Sequence, residues 1–197
     1  FNAYGYGCPT QLRSDMPYVA SWNHLVPISY YRGRNGIKFV DVFDAKVEAR
    51  LEAGVKAYCL VNAKTSQNVI GYCWTDLGTW PLKNNVGKNW VDYIRGLPED
   101  APGRQAYQKF LSARKGDNGK AREYFRIIGE AQRKHAPDHL IFGDRFGFNT
   151  LDTDVLEEML PYVDGIAIQP PFHGQFPKEK FDEIHQLTEK PILICDF

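Results

Sequence analysis

The sequence predicts an α/β fold in which a parallel sheet is covered by helices. Three observations predict it. The second half of the chain alternates short apolar runs with longer segments of helical spacing. Those runs, "HLIFGD" (139–144), "GIAIQ" (165–169) and "PILIC" (191–195), are almost wholly apolar. Strands buried on both faces read that way, whereas half-exposed strands alternate apolar with polar residues. No repeat of fixed period and no low-complexity linker divides the 197 residues, so they read as one domain or one large piece of one.

The elements follow in order. "MPYVASWNHLVPISYY" (16–31) mixes strand formers with two prolines and reads as a strand leading into a loop. "FDAKVEARLEAGVKAYCLV" (43–61) carries Val47, Leu51, Val55 and Leu60 at helical spacing behind Asp44, an N-cap residue. "NVIGYCW" (68–74) is a strand, and the polar, glycine-broken "TDLGTW" after it reads as loop. "WVDYIRGL" (90–97) is a short helix and "PEDAPG" (98–103) a turn cluster. Residues 104–136 are helical, with "GDNG" (116–119) as an interruption and Pro137 as the stop. Then come the strand at 139–144, a helix at 153–163 capped by Asp152 or Thr153, the strand at 165–169, a helix at 178–190 and the strand at 191–195. A wound open sheet and a (β/α)8 barrel both fit this pattern.

Composition excludes several functions. Lys+Arg and Asp+Glu are both 24, and a formal net charge of zero argues against a nucleic-acid or membrane-surface partner. No run of eighteen apolar residues is present to span a bilayer. No dinucleotide or P-loop glycine motif occurs. Cys8, Cys59, Cys73 and Cys195 form no C-x-x-C pair and read as core thiols. His135 and His139 are four apart, but Pro137 between them prevents a shared helix face, so no metal pair is expected. Aromatics make up 14% of residues, a richness that suits a site binding ring-shaped ligands. Both ends look cut: the chain starts at Phe1 without a methionine and stops at Phe197 directly after an apolar run. A secreted or periplasmic location is the expectation if an N-terminal signal is missing; localisation and oligomeric state are otherwise unassigned.

In a parallel barrel, chemistry gathers where strands end. The strand at 69–74 leads into Thr75 and Asp76, and that at 140–143 into Asp144 and Arg145. The strand at 165–168 leads into Gln169, Pro170, Pro171, Phe172 and His173, and that at 192–195 into Asp196. Four strands in succession thus deliver a polar residue at the same end. Two carboxylates on one cleft suit glycoside hydrolysis, one donating a proton to the leaving oxygen and the other attacking the sugar or activating water. Trp74, Trp80 and Phe172 lie in or beside these loops, where rings stack on sugars. Each residue also has a plain structural explanation. Asp76 caps a turn, Asp144 and Arg145 form an ion pair, Gln169 serves the backbone near Pro170, Trp80 plugs a rim, and His173 sits on the surface.

Taken together, "DVFDAKVEARLEAGVKAYCL", "NVIGYCWTDLGTW", "HLIFGDRFGFNT", "YVDGIAIQPPF" and "KPILICDF" resemble the β-agarase-like glycoside hydrolases in order and spacing, and "FNAYGYG" is similar to that family's second strand. The resemblance implies a retaining (β/α)8 TIM barrel, with residues 1–197 a single partial catalytic barrel covering about strands 2 to 7. It implies an acid/base after strand four, a nucleophile at the end of strand seven, a poly- or oligosaccharide substrate, and neither metal nor organic cofactor. Laid on the family's "GYFxDNExxW", Trp80 matches the tryptophan, Asp76 falls on the asparagine and Leu77 on the acid/base glutamate. Asp196 takes the place of the nucleophilic glutamate in "KPxIIGEF", and Arg145 matches the arginine of "GNRF", with Asp144 in place of asparagine.

The expected function is therefore an agarase-like glycoside hydrolase of two-carboxylate mechanism, with Asp76 as proton donor and Asp196 as nucleophile or base. Asp144, Arg145 and Gln169 would shape the sugar subsite beside Trp74, Trp80, Phe172 and His173. The alternative is a non-catalytic carbohydrate-binding barrel that lost its acid at Leu77. A lyase or aldolase ranks below both, because no strand read above ends in lysine.

Overall fold

A computed structural model of the chain describes residues 3–5, 8–21, 39–65, 67–77, 89–113, 119–148, 151–170 and 174–195. Five strands, β1 (Tyr18–Ser21), β2 (Val69–Leu77), β3 (Leu140–Gly147), β4 (Ile166–Gln169) and β5 (Ile192–Ile194), form one sheet. Among the described residues six α-helices accompany them: α1 (Ala45–Thr65), α2 (Trp90–Arg95), α3 (Pro102–Ala113), α4 (Gly119–His135), α5 (Thr153–Met159) and α6 (Lys178–Thr188).

Every strand pair is parallel, and the lateral order is the chain order, β1-β2-β3-β4-β5. This decides between the two architectures that the sequence pattern fits. A doubly wound sheet reverses direction at a switch point. Here the order never reverses, so right-handed crossovers lay the intervening helices on a single face. The other face is then the inside of a curled sheet.

The apolar residues sort onto those two faces by the period-2 alternation of a strand. Tyr18, Tyr72, Trp74, Ile141, Phe146, Ile166 and Ile168 point to the helix side. There they pack with Leu51 and Val55 of α1, Tyr124, Phe125 and Ile128 of α4, Leu156 and Met159 of α5, and Ile184 of α6. On the opposite face Val19, Cys73, Phe142, Ala167 and Cys195 form a second, smaller cluster with Leu193. Every strand contributes to it, including β2 and the end of β5, which would be roughly 14 Å apart in a flat sheet. The thiols of Cys73 and Cys195 nonetheless lie close enough to interact within this cluster, so the sheet is strongly curled. At its first edge Tyr4 bridges to Tyr18, and a Cβ on the adjacent Gly5 would lie 4.0 Å from the Ile194 carbonyl of β5. The architecture is a curled, parallel half-barrel.

Several boundaries differ from the sequence expectation. Both β2 and β3 outrun it by three residues, so Asp76 and Arg145 lie inside strands rather than beyond them. α1 continues to Thr65, and Leu60, expected on its apolar stripe, is exposed along with Val61, while Cys59 is buried instead. Pro102 belongs to α3 rather than to the preceding turn; at a first helical position its missing N–H costs nothing. The helical span at 104–136 is two helices, α3 and α4. The expected caps are present: Asp44 accepts the Lys46 N–H at 2.9 Å, and Asp152 accepts the Val155 N–H at 3.2 Å. Residues 22–31, where the loop after the first strand is expected, lie outside the described residues.

Candidate active site

All five strands run the same way, so their C-terminal ends share one mouth. The ladder fixes which residues stand level there. Asp76 pairs with Arg145, Arg145 with Ala167, and Ala167 with Leu193. Ala167 and Leu193 belong to the inner cluster, so this row belongs to the inside of the barrel.

Two register shifts bring residue 76 into that row. Between Tyr72 and Cys73 the β2 chain advances one residue while β3 advances two, from Ile141 to Gly143. Gly143 makes this possible with φ +68°, and a Cβ there would meet the Met159 sulfur at 2.5 Å. Between Cys73 and Asp76 the count reverses, three residues of β2 standing against two of β3. The extra residue sets the backbone of Asp76 level with Arg145 and that of Leu77 level with Phe146.

Arg145 is 4% exposed, and its positive charge acts on the Cys73 thiol. Asp144 faces the other layer: the hydroxyl of Tyr124 in α4 donates to its Oδ1 at 3.4 Å. Burial, then the charge of Asp144, pushes the Tyr124 hydroxyl well above its ordinary pKa and keeps it a donor. Asp144 is wholly buried, so its place is beneath the mouth, supporting β3. Trp74 is likewise wholly buried. Its indole N–H donates to Gln132 Oε1 at 2.8 Å, and its ring stacks on Phe125 at 6.1 Å between centroids. The expectation that Trp74 stacks on a sugar and Asp144 lines a subsite meets this difficulty: neither has surface to offer a ligand. Alternation explains the tryptophan, since neighbours of the inward Cys73 point outward.

Gln169 ends β4, half-buried, and its carbonyl accepts the Phe148 N–H at 3.0 Å. Asp76 is described at its backbone. Trp80, Phe172, His173 and Asp196 lie outside the described residues. Among the described residues no three His, Cys, Asp or Glu side chains converge as metal ligands, and no helix is long and apolar enough to cross a membrane.

The sequence reading missed the aromatic run beside Gln169. Phe148 follows β3 and meets Phe181 of α6 (centroids 5.4 Å apart), and Phe176 of the β4–α6 loop lies on Phe181. The signal available was the placement of Phe148 and Phe176 in loops that follow strands.

No protein-family model and no curated protein matches the sequence. Solved structures do match the fold, and these neighbours are glycoside hydrolases. An exo-β-agarase superposes with a TM-score of 0.71 at 19% identity over 98% of this chain and 32% of its own. The agarase AgWH50C gives 0.67 at 16% identity, again over 98% of this chain and 32% of its own. β-Glucuronidase 2 of Bacteroides uniformis gives 0.51 at 8% identity, over 97% of this chain and 20% of its own. The chain thus spans about a third of the agarases' length, and at these identities the likeness is one of fold.

Proposed function

We propose that this chain forms most of the catalytic barrel of a glycoside hydrolase acting on a poly- or oligosaccharide, agarase-like in substrate, with Asp76 as proton donor and Asp196 as nucleophile or base. The observation that carries the reading is the register of β2 on β3. Leu77 falls on the acid/base glutamate of the agarases that the chain resembles, and the backbone pairing of Asp76 with Arg145 supports Asp76 as its replacement. The thiol contact adds support. Cys73 of β2 and Cys195, which directly follows β5, lie together on the inner face, and the two strands are parallel members of one sheet. Asp76 follows three residues after Cys73, and Asp196 is the residue after Cys195.

In this mechanism the Asp76 carboxylic acid protonates the glycosidic oxygen as the bond breaks, while Asp196 attacks the anomeric carbon or deprotonates the attacking water. Gln169, Trp80, Phe172 and His173 would hold the sugar. Asp144 and Trp74 would act from below, fixing β3 and β2 against α4.

Asp76→Asn and Asp196→Asn should each reduce agarose-oligosaccharide hydrolysis by a factor on the order of 1,000 or more while leaving the melting temperature unchanged. Activity within a few-fold of the parent would remove both residues from these roles. Saturable oligosaccharide binding with no turnover by the parent would favour the non-catalytic barrel.

A further inference from the structure

Phe148, Phe181 and Phe176 contact one another in series, from the residue after β3 to the surface. Phe148 is tied to the end of β4 by its N–H bond to Gln169. It meets Phe181, and Phe176 lies flat on Phe181 with centroids 4.9 Å apart and planes 1° from parallel. Phe181 is buried, but Phe176 is 57% exposed. One face of the Phe176 ring is therefore fixed against protein and the other meets water.

That arrangement is a rigid apolar plane held at a set angle. A phenyl ring has only two side-chain torsions and here has its orientation fixed by stacking, so a ligand landing on it loses little to ordering. A phenyl has no hydrogen-bonding group, so the partner must offer a flat face of C–H bonds, as a pyranose ring does. The neighbouring cations do not select an acidic sugar: Lys178 is paired with Asp182 and Lys180 with Glu183. Phe176 also sits in the loop that follows β4, on the same end of the sheet as Gln169.

We infer that Phe176 is the platform of an outer subsite, stacking one ring of a neutral oligosaccharide that extends from the mouth across the β4–α6 loop. The inference rests on the hydrolase reading for the inner end of that oligosaccharide.

The test is calorimetric titration of the parent, Phe176→Ala, Phe176→Leu and Phe176→Trp with an agarose-derived hexasaccharide and disaccharide. The platform requires that Phe176→Ala and Phe176→Leu weaken the hexasaccharide by about tenfold, leave the disaccharide within twofold, and that Phe176→Trp restores binding. The leucine variant keeps an apolar cover on Phe181, so it decides the matter if the alanine variant is unstable. Unchanged hexasaccharide affinity in the leucine variant overturns the platform while the hydrolase reading stands, and so does equal weakening of both sugars. Failure of the parent to bind either sugar overturns both.

Discussion

The thiols of Cys73 and Cys195 meet across the inner face of the sheet, although their strands stand three positions apart in its order. The contact measures the curl, and it also controls reactivity. The interaction with Cys195, in which the Cys73 thiol is the donor, then burial, holds that thiol well above its ordinary pKa, so the reactive thiolate is suppressed. Cys8 and Cys59 are buried as well. Native protein should therefore react with a maleimide at a rate on the order of 100-fold below that of free cysteine, and all four thiols should become available in denaturant. Rapid labelling of Cys73 or Cys195 in the native state would mean that the sheet is open.

This inner layer was the part of the fold hardest to read in the sequence. Short apolar strands and helical spacings between them identify an α/β chain, because burial on two faces leaves no alternation to confuse. Lateral order is another matter, since hydrophobic period carries no information about which strand lies beside which. The ends of β2 and β3 are obscured in the sequence for a related reason. Thr75, Asp76 and Arg145 continue strands, but polar residues in an apolar run read as loop unless the barrel interior is known to take them. The position of Asp76 depended further on two register shifts, one of them permitted by a single glycine with positive φ. Phe176 belongs to no periodic pattern, and only its stacking on Phe181 singles it out.

Trp74 and Gln132 are wholly buried and joined by one bond, indole N–H to amide oxygen at 2.8 Å. Gln132→Leu should cost about 1–3 kcal/mol, since it leaves a buried donor without its acceptor. Trp74→Phe removes the donor and some ring volume, at a similar or larger cost. The double variant should fall short of the sum by about 1 kcal/mol, as partners in a shared bond do. Urea denaturation of the four proteins measures this coupling. Additive losses would show that the bond contributes nothing.

Asp41 performs a comparable task for α3. Its two carboxylate oxygens accept the Phe43 N–H at 3.0 Å and the Gly103 N–H at 2.8 Å, so a residue 62 positions away caps the helix. Asp41→Ala should cost about 1–2 kcal/mol and lower the melting temperature by a few degrees. Gly103→Ala should cost at least as much. A Cβ there would stand 2.2 Å from Asp41 Oδ1, so it must push the carboxylate off its bonds. Combined, the two substitutions should cost little more than Gly103→Ala alone, because the contact is already lost. Calorimetric melting of the three variants decides it, and a Gly103→Ala protein as stable as the parent would contradict the packing.

Alkaline pH should loosen the contact between α1 and the sheet. Burial pushes the Cys59 thiol up to about 11, well above its ordinary value. Burial also raises the neighbouring Tyr72 hydroxyl, with the Cys59 charge adding to the effect. The sign follows from which form the folded state favours. A raised thiol pKa means that the native protein holds its proton where the unfolded chain has lost it. The associated stability is complete below about pH 9 and is lost as pH rises through about 11. In that window the unfolding free energy should fall by up to about 1.4 kcal/mol per pH unit for this one group. Cys59→Ala removes the titrating thiol, so its stability should decline less between pH 9 and 11 than the parent's, even though the cavity lowers its value at pH 7. Urea midpoints measured at half-unit intervals would show the two curves converging with pH. Parallel curves would mean that the Cys59 thiol titrates alike in the folded and unfolded chain.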